Sequence, residues 1–172
     1  MNKKQLAIKL SKLEKVEKVK AVLEQYATDS EMAATILWDA FMQGDIEDKV
    51  VADLGCGNGI FGVGALMLGA KKVYFVDVDK ESIGVAMRNC SFKNVEFVNK
   101  DVVEFDEKVD MVIMNPPFGV QQEHADKVFL EKAMEISNVI YSIHKIESER
   151  FIEKLSSDSG FGVVKIERMQ MF

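Results

Sequence analysis

Short, almost continuously apolar segments alternate with helix-like segments along most of this 172-residue chain. A strand that is apolar on both sides is buried on both faces, as happens when helices cover both faces of a parallel sheet. The predicted strands are Val50–Leu54, Val73–Val76, Val95–Val98, Val109–Met114, Val139–Ile143 and Gly162–Met169. The predicted helices between them are Ile60–Leu68, Lys80–Cys90, Asp126–Ser137 and Ser148–Leu155. The alternation therefore predicts an α/β fold with a doubly wound, mostly parallel sheet and helices on both faces.

The residues before the first strand predict helices. Lysines and apolar side chains recur at helical spacing over residues 1–24, which predicts an amphipathic helix with a lysine face. A second helix is predicted over Ser30–Met42, with Asp29 or Ser30 as its N-cap.

One domain is expected, because a chain of this length fits a single core. Its N-terminal helices are expected over 1–45 and its sheet core over 46–172. Sheets of this kind commonly finish with two more strands, and only one strand is predicted after Leu155. The core is therefore expected to lack a final strand.

Charge is unevenly distributed along the chain. The sequence has 22 basic and 28 acidic residues, a net charge of −6, yet residues 1–24 hold seven lysines and three glutamates. An acidic domain is not typical of a dedicated nucleic-acid-binding module. The lysine face is therefore interpreted first as the solvated side of a packed helix, and second as a surface that contacts phosphates.

The sequence gives no sign of secretion, of a membrane span or of a metal site. Met1–Leu10 lacks the apolar segment of a signal peptide, and no apolar segment approaches the ~20 residues of a membrane span. Cys56 and Cys90 lack metal-ligand spacing and are interpreted as reduced thiols of a cytoplasmic protein. His124 and His144 have no third ligand beside them, so we predict no metal site and interpret both as surface residues.

A glycine-rich stretch directly follows the first predicted strand. Residues 53–59 read Asp-Leu-Gly-Cys-Gly-Asn-Gly, and ligands of open α/β sheets bind at the carboxyl ends of strands. Glycines let the backbone turn tightly and approach a ligand closely. Asp77 ends the next strand, where a carboxylate can accept hydrogen bonds from ribose hydroxyls. Together these residues predict a nucleotide-like cofactor.

The acidic residue before the glycines indicates which kind of cofactor binds to this loop. Gly57, Gly59 and Gly62 satisfy the dinucleotide pattern G-x-G-x-x-G, but Asp53 would repel a pyrophosphate at close range. Its charge suits the sulfonium and ammonium groups of S-adenosylmethionine instead. A dehydrogenase is therefore the weakest interpretation of this loop.

The fourth predicted strand runs directly into Asn115-Pro116-Pro117-Phe118. The two prolines remove two backbone donors and stiffen the turn, which leaves carbonyl oxygens and the Asn115 amide on display. The Asn115 side-chain oxygen and the Pro116 carbonyl can accept both N–H bonds of a planar NH₂ group and aim its nitrogen at a methyl donor. Phe118 can stack on a base removed from its helix.

Several acceptors fit this motif. The N6 amine of adenine, the N2 amine of guanine in RNA and the side-chain amide of a protein glutamine all present a planar NH₂ group. A non-catalytic module that keeps the pocket as scaffold is disfavoured by the intact Asn115 and Asp77.

The sequence also carries strings that resemble a known family. Residues 53–59 resemble the first motif of class I S-adenosylmethionine-dependent methyltransferases. Three more strings, Leu-Glu-Gln-Tyr-Ala-Thr at 23–28, Met-Asn-Pro-Pro-Phe-Gly at 114–119 and Val-Ile-Tyr-Ser-Ile-His-Lys at 139–145, resemble the methyltransferase-like protein five family of ribosomal-RNA adenine N6-methyltransferases. This resemblance implies a Rossmann-like class I fold, S-adenosylmethionine as methyl donor, and N6-methylation of one adenosine in small-subunit ribosomal RNA.

The resemblance also implies site residues and partners. The expected cofactor-binding residues are Gln25, Thr28, Asp53, Gly55, Asn58, Gly59, Asp77, Val78, Asp101, Val102 and Asn115, and the residues expected to hold the base are Asn115, Pro116, Pro117 and Phe118. Asn58 and the short C-terminus depart from the family pattern. Ribosomal RNA or the small ribosomal subunit is the expected partner, through the lysine face. Because eukaryotic members are stabilised by a small zinc-binding activator protein, a similar partner is a hypothesis for this chain.

Overall fold

The computed structural model describes residues 1–17, 27–118 and 124–170. Two helices, α1 (Lys3–Leu10) and α2 (Ser30–Met42), precede the sheet. Strands and helices then alternate as β1 (Val50–Leu54), α3 (Ile60–Met67), β2 (Lys72–Val76), α4 (Lys80–Asn89), β3 (Val95–Val98), β4 (Met111–Met114), α5 (Ala125–Ile136), β5 (Ile140–Ser142) and α6 (Glu149–Asp158). Two 3₁₀ turns, Val102–Glu104 and Ile146–Ser148, follow β3 and β5. The first five predicted strands are thus confirmed to within a few residues at their ends.

The five strands form one parallel sheet in the order β3-β2-β1-β4-β5. Strand order reverses beside β1, which pairs with β2 on one side and with β4 on the other. In the register, Leu54 lies opposite Met114, so the segments that follow β1 and β4 begin side by side. The doubly wound α/β prediction is confirmed, and in sheets of this kind the ligand binds at such a reversal of strand order.

Both faces of the sheet are covered along its central strands β1, β2 and β4, which explains why these strands are mostly apolar, while the edge strands β3 and β5 are partly exposed. One core cluster combines α1, α2, α3 and α4 with alternate strand residues such as Phe75 and Ile113. The other cluster packs α5 and neighbouring loops against the remaining strand residues, including Leu54 and Met114. Each fully buried apolar side chain of this size stabilises the fold by ~1.5–3 kcal/mol.

The lysine-rich N-terminal helix is shorter than predicted. A capping box between Asn2 and Gln5 starts α1, and the helix ends at Leu10 rather than continuing to residue 24. The Glu14 N–H donates to Asn89 Oδ1 at 2.8 Å, so a tertiary contact replaces the bond that would continue the helix. Residues 11–17 are not helical, and 18–24 lie outside the described residues.

The predicted strand at Gly162–Met169 is wrong, because the described residues after α6 contain no strand. Side chains hold this tail instead, through ion pairs of Lys165 with Asp39 and of Arg168 with Glu149. A groove of about 770 Å³ separates the tail from β5. None of the glycine-loop residues lines this groove, so it is distinct from the predicted cofactor site.

Within the described ranges, no helix has the length and apolar character needed to cross a bilayer. The same residues contain no cluster of three His, Cys, Asp or Glu side chains that could hold a metal ion. Cys56 and Cys90 are free thiols.

Candidate active site

The glycine loop adopts a backbone that side chains rarely tolerate. Gly55 and Gly57 have positive φ angles of 68° and 54°. A Cβ on Gly55 would lie 2.9 Å from the Phe129 ring, whereas nothing lies within 4 Å of a Cβ on Gly57. The N–H groups of Gly55 and Cys56 both donate to the Val76 carbonyl, which ties the loop to β2. The loop is therefore fixed on one side and open to a ligand at Gly57.

Two buried carboxylates hold the loop in place. Asp53 Oδ2 accepts from the Gly62 N–H at 2.9 Å, and Asp77 Oδ2 accepts from the Gly57 N–H at 2.9 Å. Asp77 Oδ1 accepts from the Asp79 N–H at 2.8 Å. Burial raises the pKa of the Asp53 carboxyl well above its ordinary value, the Gly62 bond opposes that effect, and the charge of Asp77 adds to it. A cationic group at this site would relieve the same electrostatic cost.

Cys56 is a buried side chain of the glycine loop and is not suited to act as a nucleophile. Burial raises the pKa of its thiol well above the ordinary value, and the negative charges of Asp53 and Asp77 raise it further. A thiolate is the reactive form of cysteine, so this environment keeps Cys56 inert.

Asn58 is joined to the N-terminal segment through a set of contacts that we call the Glu14 junction, formed by Glu14, Asn58, Arg88 and Asn89. Asn58 Nδ2 donates to the Glu14 carbonyl at 3.0 Å, and Asn89 Nδ2 donates to the carbonyls of Glu14 and Asn58, each at 2.9 Å. The Glu14 carboxylate accepts two bonds from Arg88, at 3.0 and 2.7 Å. No local sequence pattern predicts this junction, because its partners are 31 to 75 residues apart.

The other residues predicted to contact the cofactor follow the ends of β2 and β3. Val78, which follows Asp77, is 53% exposed. Asp101 caps the following 3₁₀ turn by accepting from the Val103 N–H at 3.1 Å. Val102 is buried in the core, at 4% exposure, while Val103 is 52% exposed. The carboxylate of Asp101 therefore faces the surface, and the side chain of Val102 packs inward.

Asn115 begins the turn at the carboxyl end of β4 and contacts a residue far away in sequence. Its Nδ2 donates to Thr28 Oγ1 at 3.1 Å, across 87 residues of sequence. Pro116 is buried, and Asn115, Pro117 and Phe118 are partly buried. Gln25, the other residue predicted to close over the cofactor, lies outside the described residues.

The end of β5 brings a cation and a histidine next to this turn. Lys145 Nζ lies 5.6 Å from the centroid of the Phe118 ring, a cation–π contact. The interpretation of His144 as a surface residue is wrong, because only 11% of its side chain is exposed. Its Nε2 lies 2.6 Å from Ser142 Oγ, and its Nδ1 lies 3.8 Å from an Asp126 oxygen.

Acidification is expected to destabilise the fold through His144. Burial lowers the pKa of this imidazole below the ordinary value of 6.5, and the charge of Asp126 only partly opposes the shift. The unfolded chain therefore binds the proton more readily than the folded chain, so stability falls as pH drops through the region below 6.5. We expect the loss of Tm between pH 7.5 and 5.5 to be smaller in His144→Gln than in the wild type, as measured by calorimetry. Parallel losses in the two proteins would contradict this assignment.

The chain is similar to several known proteins. The family described as "Methyltransferase small domain" matches residues 18–138. The protein named rRNA N(6)-adenosine-methyltransferase METTL5 of Danio rerio is 34% identical over 92% of this chain and 81% of its own length. An uncharacterised protein of Methanocaldococcus jannaschii, MJ0284, is 39% identical over 96% of this chain and 81% of its own. The crystal structure of PH1948 from Pyrococcus horikoshii superposes with a TM-score of 0.92 at 53% identity, over 95% of this chain and 84% of that one.

Proposed function

The chain belongs to the methyltransferase small domain family and to the family of METTL5, and from this premise we propose that it methylates the exocyclic N6 amine of an adenosine in small-subunit ribosomal RNA. It is a methyltransferase, and the name of its relative in Danio rerio supports an adenosine of ribosomal RNA as the acceptor. The observation that carries the proposal is the position of Asn115 and Phe118, which follow β4 directly beside the glycine loop that follows β1.

The loop fits S-adenosylmethionine as the methyl donor. Open space at Gly57 leaves room for a ligand against the backbone, and the buried Asp53 and Asp77 favour a ligand that carries positive charge. When bound, S-adenosylmethionine supplies a methyl carbon whose bond to sulfur breaks with both electrons remaining on sulfur. The residues proposed to hold it are those predicted from the sequence, namely Gln25, Thr28, Asp53, Gly55, Asn58, Gly59, Asp77, Val78, Asp101, Val102 and Asn115.

The turn after β4 is proposed to hold the acceptor amine. Asn115 Oδ1 and the Pro116 carbonyl accept one N–H each, which raises the electron density on the nitrogen and fixes its direction. The nitrogen lone pair forms the new bond to carbon, and the positive charge on nitrogen disappears when one of its protons leaves to water. Phe118 stacks on the face of the base, which must leave its helix to reach this turn.

The proposed acceptor is tested by a methyl-transfer assay. Small-subunit ribosomal RNA from cells lacking this protein is incubated with labelled S-adenosylmethionine, and the product nucleosides are resolved by mass spectrometry. A single new N6-methyladenosine is the expected result. Label in N2-methylguanosine or in a protein glutamine would mean that the turn carries out the proposed chemistry on that group. It would contradict adenosine as the acceptor.

RNA is proposed to contact the N-terminal lysine face. Lys3, Lys4, Lys9, Lys12 and Lys15 are all exposed on or just after α1. Each phosphate contact releases counterions, so lost contacts flatten the dependence of affinity on salt. We expect the double variant Lys9→Glu and Lys12→Glu to bind RNA more weakly and to lower the salt slope by about 1–2.

The matched control for this charge change uses two lysines at the amino ends of the strands. Lys71 and Lys93 are exposed just before β2 and β3, away from the carboxyl ends of the strands. Lys71→Glu with Lys93→Glu makes the same change in net charge and is expected to leave the salt slope close to that of the wild type. Equal slopes for the two double variants, measured by fluorescence anisotropy, would contradict the lysine-face assignment.

A zinc-binding activator protein and a cytoplasmic location remain part of the proposal. The sheet leaves β3 and β5 as its two edges, either of which could accept a further strand from a partner. The free thiols of Cys56 and Cys90 support a reducing compartment. Isolation of the protein from its source with no partner, together with full activity alone, would contradict the need for an activator.

A further inference from the structure

Thr28 and Asn115 are both held by rigid parts of the fold. Thr28 precedes Asp29, whose carboxylate caps α2 by accepting from the N–H groups of Glu31 and Met32, each at 3.0 Å. Asn115 follows the last residue of β4 directly. The 3.1 Å hydrogen bond between the two side chains therefore joins a fixed helix start to a fixed strand end.

The backbone alone does not fix the direction of the Asn115 amide. The last torsion of an asparagine side chain is broad, and its oxygen and nitrogen ends are nearly equal in shape. The two orientations nevertheless differ in chemistry, since one presents an acceptor to the substrate and the other presents donors. If the Asn115 amide instead presents its own N–H donors, it repels the N–H groups of the substrate amine. The lone pair of that amine is then not directed at the methyl carbon.

We propose that the Thr28 hydroxyl is a positioning group that holds the Asn115 amide with Oδ1 facing the acceptor amine. It does so by accepting from Nδ2, which leaves Oδ1 as the end available to the substrate. This inference rests on the proposed function, and it names the residue that sets the orientation on which that function depends. It differs from a contact of Thr28 with the cofactor, because it acts on the chemical step through Asn115.

The test compares Thr28→Val with Thr28→Ser at saturating S-adenosylmethionine. Valine has nearly the shape of threonine and no hydroxyl, whereas serine retains the hydroxyl. We expect Thr28→Val to lower kcat by roughly tenfold, the value of about one hydrogen bond, and Thr28→Ser to stay within a few-fold of the wild type. A loss that appears only as weaker cofactor binding, with kcat unchanged, would overturn the inference, as would equal losses in the two variants.

A double-mutant comparison separates positioning from a general structural effect. If Thr28 acts through Asn115, then Thr28→Val should have little further effect on kcat in an Asn115→Ala background. Full additivity of the two losses would overturn the inference. Circular dichroism and Tm establish that each variant is folded, and Thr28→Ala provides a second variant if valine disturbs the start of α2.

A spectroscopic measurement tests the inference without any acceptor. The Asn115 side-chain NH₂ signal is assigned in an asparagine-labelled NMR sample by its disappearance in Asn115→Ala. In the wild type we expect its hydrogens to exchange with water more slowly than in Thr28→Val, with Thr28→Ser resembling the wild type. Equal exchange in the wild type and Thr28→Val would overturn the inference, whichever acceptor the methyl-transfer assay identifies. The failure of the adenosine assignment is therefore distinguishable from the failure of the Thr28 assignment.

Discussion

Replacing Asn115 with alanine is expected to lower kcat by roughly 10²–10³-fold, the range found when one preorganised polar group is removed from a reacting centre. The variant removes the side-chain oxygen that is proposed to accept from the amine, while the Pro116 carbonyl remains. Cofactor affinity, measured by calorimetry, is expected to change by no more than a few-fold, because the glycine loop is tied to β2 independently of Asn115.

The control for Asn115→Ala is the same substitution at Asn138. Asn138 is exposed in the loop before β5, at the amino ends of the strands, whereas the candidate site lies at their carboxyl ends. Asn138→Ala is expected to keep wild-type kcat and cofactor affinity. If Asn115→Ala instead lost cofactor affinity in proportion to its activity, the role of Asn115 would be limited to cofactor binding and would not include holding the acceptor amine.

Replacing Gly62 with alanine is expected to reduce the free energy of unfolding by ~1–3 kcal/mol, the usual cost of overpacking a core. A Cβ at this position would lie 2.2 Å from the Phe75 ring. The ring has little room to move, because it is fully buried and stacks on Phe97 with a centroid distance of 4.9 Å. The N–H of Gly62 also donates to Asp53, so a shift of α3 would strain the carboxylate that supports the glycine loop.

Gly84→Ala is the matched control for this prediction, since it makes the same change within a helix. A Cβ on Gly84 would meet only the end of Arg88, at 3.6 Å, and that side chain is largely exposed. Alanine is favoured over glycine inside a helix, so Gly84→Ala is expected to raise the free energy of unfolding by up to ~1 kcal/mol. Urea unfolding with unchanged m-values measures both effects, and a Gly62→Ala protein as stable as the wild type would contradict the packing seen around Phe75.

The predictions that succeeded depend on short-range patterns. The strands β1 to β5 are predictable because each lies in a segment rich in apolar residues. The central strands β1 and β4 are almost fully buried on both faces, which requires such a segment, whereas the edge strands β3 and β5 are partly exposed. Asp29 was among the predicted N-caps because capping uses neighbouring residues, and the structure confirms it. The glycine loop was placed at a strand end because its residues follow β1 directly.

The predictions that failed depend on distant partners. The N-terminal helix stops at Leu10, near the point where Glu14 bonds to Asn89, 75 residues away. The segment Gly162–Met169 has strand-like composition, but a strand also needs a hydrogen-bonded neighbour, and the described residues supply none. His144 follows a strand end, yet the packing of α5 buries it beside Asp126.

The sequence by itself determined the order of elements, the parallel sheet and the two motifs at its carboxyl edge, because periodicity, apolar runs and turn residues act over a few neighbouring positions. Only the tertiary structure decided that Asn115 is held by Thr28, that the Glu14 junction ties the N-terminal segment to the glycine loop, and that Asp53 and Asp77 support the loop backbone. These contacts join residues that are 9 to 87 positions apart. A hydrogen bond needs its two atoms within about 3 Å, and only the folded packing of helices against the sheet brings such atoms together.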